Sequence, residues 1–300
     1  MKSLKKALNH LFESESKQEN HIETLSDLFK KSYPEFVPLL SKLTMDDEFM
    51  NSLEGDGSES DKLKIETINV KCKDLIPLQN EIGASESLDF PLQNRIKKES
   101  VIKMCSNEVC DSSVYDSQGR TIITSGGKYI VDGHHRWSSA YILNPDCIIQ
   151  VKDIGKYKKG VDALKLSQII IAVLSKAKGK MGSKKAKGLN IIDAPSSEIK
   201  KHIESVISDD FVKTFMSANK DLKSKEQVIS AILKNCIELQ KSGIDSDAHA
   251  NDRGIMPQFD DKGVYLKGAE QGAVNMSDIK TAMKEHKNLV KEWKQLIKSI

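Results

Sequence analysis

The stretch from Tyr129 to Ala140, Tyr-Ile-Val-Asp-Gly-His-His-Arg-Trp-Ser-Ser-Ala, limits the fold of this chain more than any other. Ile130 and Val131 close an apolar, β-prone run, and Asp132-Gly133 breaks it. From His134 to Leu143 the pattern turns helical, with Trp137, Ala140 and Tyr141 at i, i+3 and i+4 on one face. A strand, a glycine turn and a helix start bring backbone N–H groups and the positive end of a helix dipole to one point, a geometry that holds anions. Two histidines and an arginine sit at that point and add donors of tunable charge and of fixed shape. Only four of the 46 basic residues are arginine (Arg95, Arg120, Arg136 and Arg253), so an arginine here points to a need for a planar, bidentate donor. The alternative is a surface arginine beside two histidines that merely cap the helix.

The segments around this stretch give it a setting. Ile65–Val70 reads as a strand, and Asp74–Gly83 as a loop punctuated by Pro77 and Gly83. Pro91 argues against one uninterrupted helix from Ser85 to Lys98. Thr121–Thr124 and Lys128–Val131 flank Ser125-Gly126-Gly127, which predicts a hairpin. Asn144-Pro145 ends the central helix, and Cys147–Val151 forms a short buried strand. The order strand, loop, helical turn, hairpin, helix, strand predicts a small α+β domain over residues 61–155.

Helices are expected on both sides of it. Residues 1–60 read as a helical extension, with Leu4, Leu8, Leu11 and Phe12 on one stripe and Ile22, Leu25, Leu28 and Phe29 on another. It ends in an acidic, Gly- and Ser-rich linker over 51–61. Residues 156–300 read as a mostly helical C-terminal region. There, Asp193–Ser197 starts a helix with Ile199, Ile203, Val206 and Ile207 inward. Ser224 with Gln227 forms a capping box for a helix that ends before Gly243. A lysine-rich helix spans Ser277–Ser299. Between them, Lys176–Lys187 holds six lysines and no acid, either a solvated linker or a contact for phosphate or nucleic acid.

A net charge of +3 gives no whole-chain affinity for nucleic acid. No apolar run is long enough to span a bilayer, and Met1–Lys6 lacks the apolar core of a signal peptide, so no membrane partner is expected. The five cysteines (Cys72, Cys105, Cys110, Cys147 and Cys236) are irregularly spaced and form no zinc pattern. A reducing, cytoplasmic location is the simplest expectation.

The span from Leu63 to about Ile154 resembles the ParB/sulfiredoxin superfamily. It is most similar to the phage and bacterial proteins labelled "ParB-like nuclease domain", which carry an Asp-Gly-His-His-Arg-Trp box. The resemblance rests on Leu75-Ile76-Pro77-Leu78-Gln79, Leu88-Asp89-Phe90-Pro91-Leu92 and Val131–Ala140. It implies a small mixed α/β domain that holds nucleotide phosphates at the box. The ParB partition proteins bind CTP there, sulfiredoxins use ATP with a catalytic cysteine, and free-serine kinases of this fold use ADP or ATP with a loop glutamate as base. Carried over, Gly133, His134, His135 and Arg136 would contact phosphate, Ser138 would join the nucleotide site, and Gln79 or Glu81 would lie in the facing loop. No cysteine lies within Gly133–Arg136, so sulfiredoxin chemistry is not expected. Gln79 stands where the serine kinases have glutamate, which leaves Glu81 as the nearest acid. The helical extensions suit a virus-encoded protein in the host cytoplasm.

Three mechanisms follow. In phosphoryl transfer or NTP hydrolysis, Asp132 would hold Mg²⁺, Glu81 would act as base, and His134 or His135 would protonate the leaving oxygen. Asp132 equally suits a turn-former and helix cap. In a nuclease, Asp132 with His134 and His135 would bind a divalent metal and activate water. In a non-enzymatic module, the box would bind a nucleotide and switch the helical regions, with Lys176–Lys187 supplying DNA or RNA affinity.

Overall fold

A computed structural model describes residues 65–79, 81–115, 119–155 and 188–241, all within one compact unit. The expected N-terminal extension, the Lys176–Lys187 segment and the Ser277–Ser299 helix lie outside the described residues.

β-branched and apolar residues dominate the strands of one mixed sheet, ordered β1-β6-β4-β5-β2, with β3 also paired to β6. β1 (Glu66–Lys71) runs antiparallel to β6 (Ile148–Asp153), with Lys71 opposite Ile148 and Glu66 opposite Asp153. The alternation of β6 buries Ile149 and Val151 and leaves Ile148 and Gln150 half-buried, as period-2 geometry requires. β2 (Ile76–Pro77) lies parallel to β5, and β3 (Val109–Asp111) parallel to β6. The expected hairpin is present. β4 (Ile123–Ser125) and β5 (Tyr129–Asp132) pair antiparallel around a turn in which Gly126 and Gly127 take φ of +62° and +64°. Asp153 of β6 closes this turn by accepting from Gly127 N–H at 2.8 Å and from Thr124 Oγ1 at 2.9 Å.

Helices complete the α+β fold. Ser85–Asp89 form a π-helical turn that runs into a single turn, α1 (Phe90–Leu92). Pro91 lies inside this continuous helical run and lacks the N–H that would bond back into it; Ser87 O, four residues earlier, accepts from Ser139 Oγ at 2.8 Å. Asn94, at φ +60°, lies in the turn before α2 (Lys98–Cys105). α3 (His134–Leu143) is the core helix. Trp137 is fully buried, stacks edge-on to Tyr141 with ring centroids 5.4 Å apart, and donates its indole N–H to Cys72 O at 2.9 Å. α4 (Ser196–Val206), α5 (Asp209–Ala218) and α6 (Lys225–Lys241) follow.

Composition places a domain boundary at residue 155, but the packing does not follow it. Ile199, Ile203, Phe211, Val228 and Ile232 share one core with Leu88, Leu92, Trp137 and Ile142. Asn235 Nδ2 donates to Ile142 O at 2.9 Å, so α6 is bonded to the end of α3. The described part of the C-terminal region therefore belongs to the sheet domain. The apolar stripes of α4 to α6 need a partner surface, and the sheet domain supplies it.

Candidate functional site

The site begins at the end of β5. The ladder between β4 and β5 shifts register between Ile123 and Thr124, so Ile123 faces Asp132 while Thr124 faces Ile130. Bulges of this kind re-aim the residues beyond them. Gly133 follows at φ +95° and ψ 26°, as the N-cap of α3, with no side-chain cap. Trp137 N–H bonds to Gly133 O at 2.9 Å, which sets the first full turn. The amides of His134, His135 and Arg136 thus form the dipolar start of a ten-residue helix.

Glycine is required at this N-cap for two reasons. A β-carbon would lie 2.9 Å from Nε and Nη2 of Arg136 and 3.1 Å from Cα of Ile122, and the backbone is left-handed. Arg136 is folded back over the turn. Its side chain is 9% exposed, and Nη2 donates to Asp132 Oδ2 at 2.9 Å. The guanidinium is thus tethered at Nη2 to the carboxylate four residues before it.

The structure distributes the expected site residues unevenly. His134 is buried, and its Nε2 accepts the backbone N–H of Leu78 at 3.1 Å. An accepting nitrogen carries no proton, so the imidazole is the neutral tautomer with its hydrogen on Nδ1. His134 therefore positions the loop, and its Nε2 is not a phosphate donor. Ser138 corrects its expected role. It is fully buried, and its hydroxyl bonds Ser87 Oγ at 2.7 Å and His135 O at 3.0 Å. It lies on the inner face of α3, where periodicity puts a packing contact. Gln79 is buried as well, and its amide turns back to donate to Glu81 O, so it shapes the loop. Glu81 and His135 are half-buried, and Asp132 is 29% exposed at the side chain.

Three contributors had no local signal. Asn190 Oδ1 accepts from Ile82 N–H at 2.8 Å, while Ile191 N–H reaches Ile82 O at 2.8 Å, so the segment after Gly188 clamps the loop that carries Glu81. Ser139 Oγ bonds Ser87 O at 2.8 Å and joins α3 to the π-helical turn. His202 Nε2 meets Asp89 Oδ1 at 2.8 Å and ties α4 to the same turn.

The described residues contain no group of three or more His, Cys, Asp and Glu side chains placed to hold a metal ion. None of their helices is long and apolar enough to cross a membrane. Protein-family models, curated proteins and solved structures give no match to this chain.

Proposed function

We propose that the turn from Asp132 to Arg136 binds the phosphates of a nucleotide, and that the domain carries out phosphoryl transfer or NTP hydrolysis there. The observation that carries this reading is Gly133: a left-handed N-cap without a side chain, at a strand end, with a guanidinium folded against it. Such a helix start stabilises an anion through its amides and dipole, and Arg136, held beside it by Asp132, adds positive charge. The resemblance of this box to the ParB/sulfiredoxin superfamily points the same way, with ATP, ADP or CTP as the ligand.

The bound nucleotide would supply the activated phosphoryl group. The chain's own groups divide the remaining work. His134, neutral and bonded to Leu78 N–H, holds the facing loop against the helix start. Asn190 holds the other end of that loop. The loop presents Glu81 as the candidate base, and His135, half-buried in the first turn of α3, is the candidate acid. Asp132, whose Oδ2 accepts from Arg136, is the residue that would hold Mg²⁺ through its other oxygen if the ion accompanies the nucleotide, and no step is routed through the ion. The nuclease alternative needs a fuller ligand set than Asp132, His134 and His135 supply.

The test is calorimetric titration of ATP, ADP and CTP, with and without Mg²⁺, into the wild type, His135→Ala and Arg136→Ala, with phosphate release measured in parallel. Binding by the wild type that both variants lose, with folding intact by circular dichroism, supports the reading. Absence of nucleotide binding refutes it. DNA cleavage that Asp132→Asn abolishes would favour the nuclease.

A further inference from the structure

Away from the box, α4 and α6 enclose an open groove of about 400 Å³. One face of α6 holds α6 in place. Val228, Ile229, Ile232, Cys236 and Leu239 are buried, and Gln240 Nε2 donates to Ile191 O at 2.7 Å and Ala194 O at 2.9 Å. The other face lines the groove. Leu233 and Ile237 are half-buried and form its apolar floor, at the i and i+4 positions of one stripe. Lys234 and Lys241 from α6 and Lys200 from α4 form an exposed rim against a single acid, Glu238. Among the described residues, neither Lys234 nor Lys241 has an ion-pair partner, and Lys200 only reaches Glu204 of its own helix at 3.7 Å.

We infer that this groove docks an acidic amphipathic helix of a partner protein. The floor takes apolar side chains at i, i+3, i+4 and i+7, the usual anchors of a helix laid in a groove. The lysine rim sets the sign of the partner's flanks. A nucleic acid fits less well: no aromatic side chain lines the groove for base stacking, and phosphates would face Leu233 and Ile237. A second copy of this chain fits less well too, because two-fold pairing of this face would set lysine against lysine. The hydrogen bonds that hold α6 make the groove preformed, which lowers the ordering cost of binding.

The test uses the full chain and a fluorescein-labelled, glutamate-rich helical peptide of about four turns, with leucines at i, i+3, i+4 and i+7. Fluorescence anisotropy should show binding that weakens with salt. The double variant Lys200→Glu/Lys234→Glu should weaken it about tenfold or more, and Ile237→Asp by a similar factor. All three positions lie outside the core, so circular dichroism should report an unchanged fold. Four results would each overturn the inference: no binding, equal binding of a peptide with scrambled leucines, no effect of the lysine reversals, or tighter lysine-dependent binding of a duplex oligonucleotide. Dimerisation of the chain that Ile237→Asp abolishes would overturn it in favour of self-association.

Discussion

Replacing Gly133 with alanine tests the geometry of the turn without touching a titratable group. The residue sits at φ +95°, where an L side chain costs about 1–2 kcal/mol. The added β-carbon also meets Nε and Nη2 of Arg136 at 2.9 Å and Ile122 Cα at 3.1 Å. Ile122 is backbone and cannot yield cheaply. Arg136 can swing aside only by giving up its 2.9 Å bond to Asp132. A hydrogen bond between charged groups contributes about 1.5–3 kcal/mol, and the 29% exposure of Asp132 reduces this to about 1 kcal/mol. The sum is about 2–3 kcal/mol, or a Tm lower by about 5–12 °C for a domain of this size. Gly119 is the control. It has φ +69° and nothing within 4 Å of the added carbon, so Gly119→Ala should show the backbone cost alone. Urea melts followed by circular dichroism give both values. The double variant Gly133→Ala/Arg136→Ala should lose less than the sum of its parts, because removing the guanidinium removes the clash. Equal losses at Gly133 and Gly119, with additive behaviour in the double variant, would refute the close approach of Arg136 to the turn.

Three further predictions concern the frame around the site. Trp137→Phe removes the indole N–H that Cys72 O accepts at 2.9 Å and leaves a small void in a fully buried position, so denaturant melts should show a loss of about 2–4 kcal/mol; a loss below about 1 kcal/mol would count against this bond. Burial pushes the Asp153 carboxyl above its ordinary range, despite the bonds from Gly127 and Thr124 that pull it down. A carboxyl whose folded-state pKa is raised contributes its stability below the unfolded pKa and loses it as pH rises through the folded value. The wild type should therefore lose stability relative to Asp153→Asn between acidic and neutral pH, and a pH-independent difference in Tm would refute the assignment. Burial also pushes the thiols of Cys105 and Cys110 up to about 11 and that of Cys236 up to about 12, so Ellman's reagent at pH 8 should label the native chain slowly and the urea-unfolded chain fully; rapid native labelling of these thiols would contradict their burial.

The chain announces its local chemistry clearly. The glycines between Thr124 and Lys128 mark the hairpin, and Asp132-Gly133 marks the change from strand to helix. Ser224 and Gln227 mark the start of α6, where Gln227 N–H reaches Ser224 Oγ at 3.3 Å. These signals are legible because turn, cap and period are set by residues a few positions apart. Pro91 is legible in the same way: it warns against a long helix, and the chain answers with a π-helical turn, a single α-turn and a break. β3 escapes such reading, since three residues of strand leave no periodic trace, whereas α5 carries local signals of its own: Ser208 caps it, Asp209 and Asp210 open it, and Phe211, Val212 and Phe215 share its buried face.

Local patterning along the chain therefore sets most of the secondary framework and the place where donors gather. Which of those donors face solvent is settled when the elements dock. His134 accepts from Leu78 across 56 positions, Ser138 meets Ser87 across 51, and Asn190 clamps Ile82 across 108. The same long-range packing draws α4 to α6 onto the sheet and erases the boundary that composition places at residue 155. Patterns along a chain encode which face of an element is apolar. They do not encode which distant backbone amide will pair with a given imidazole, because that pairing exists only once the elements have docked and water has been excluded between them.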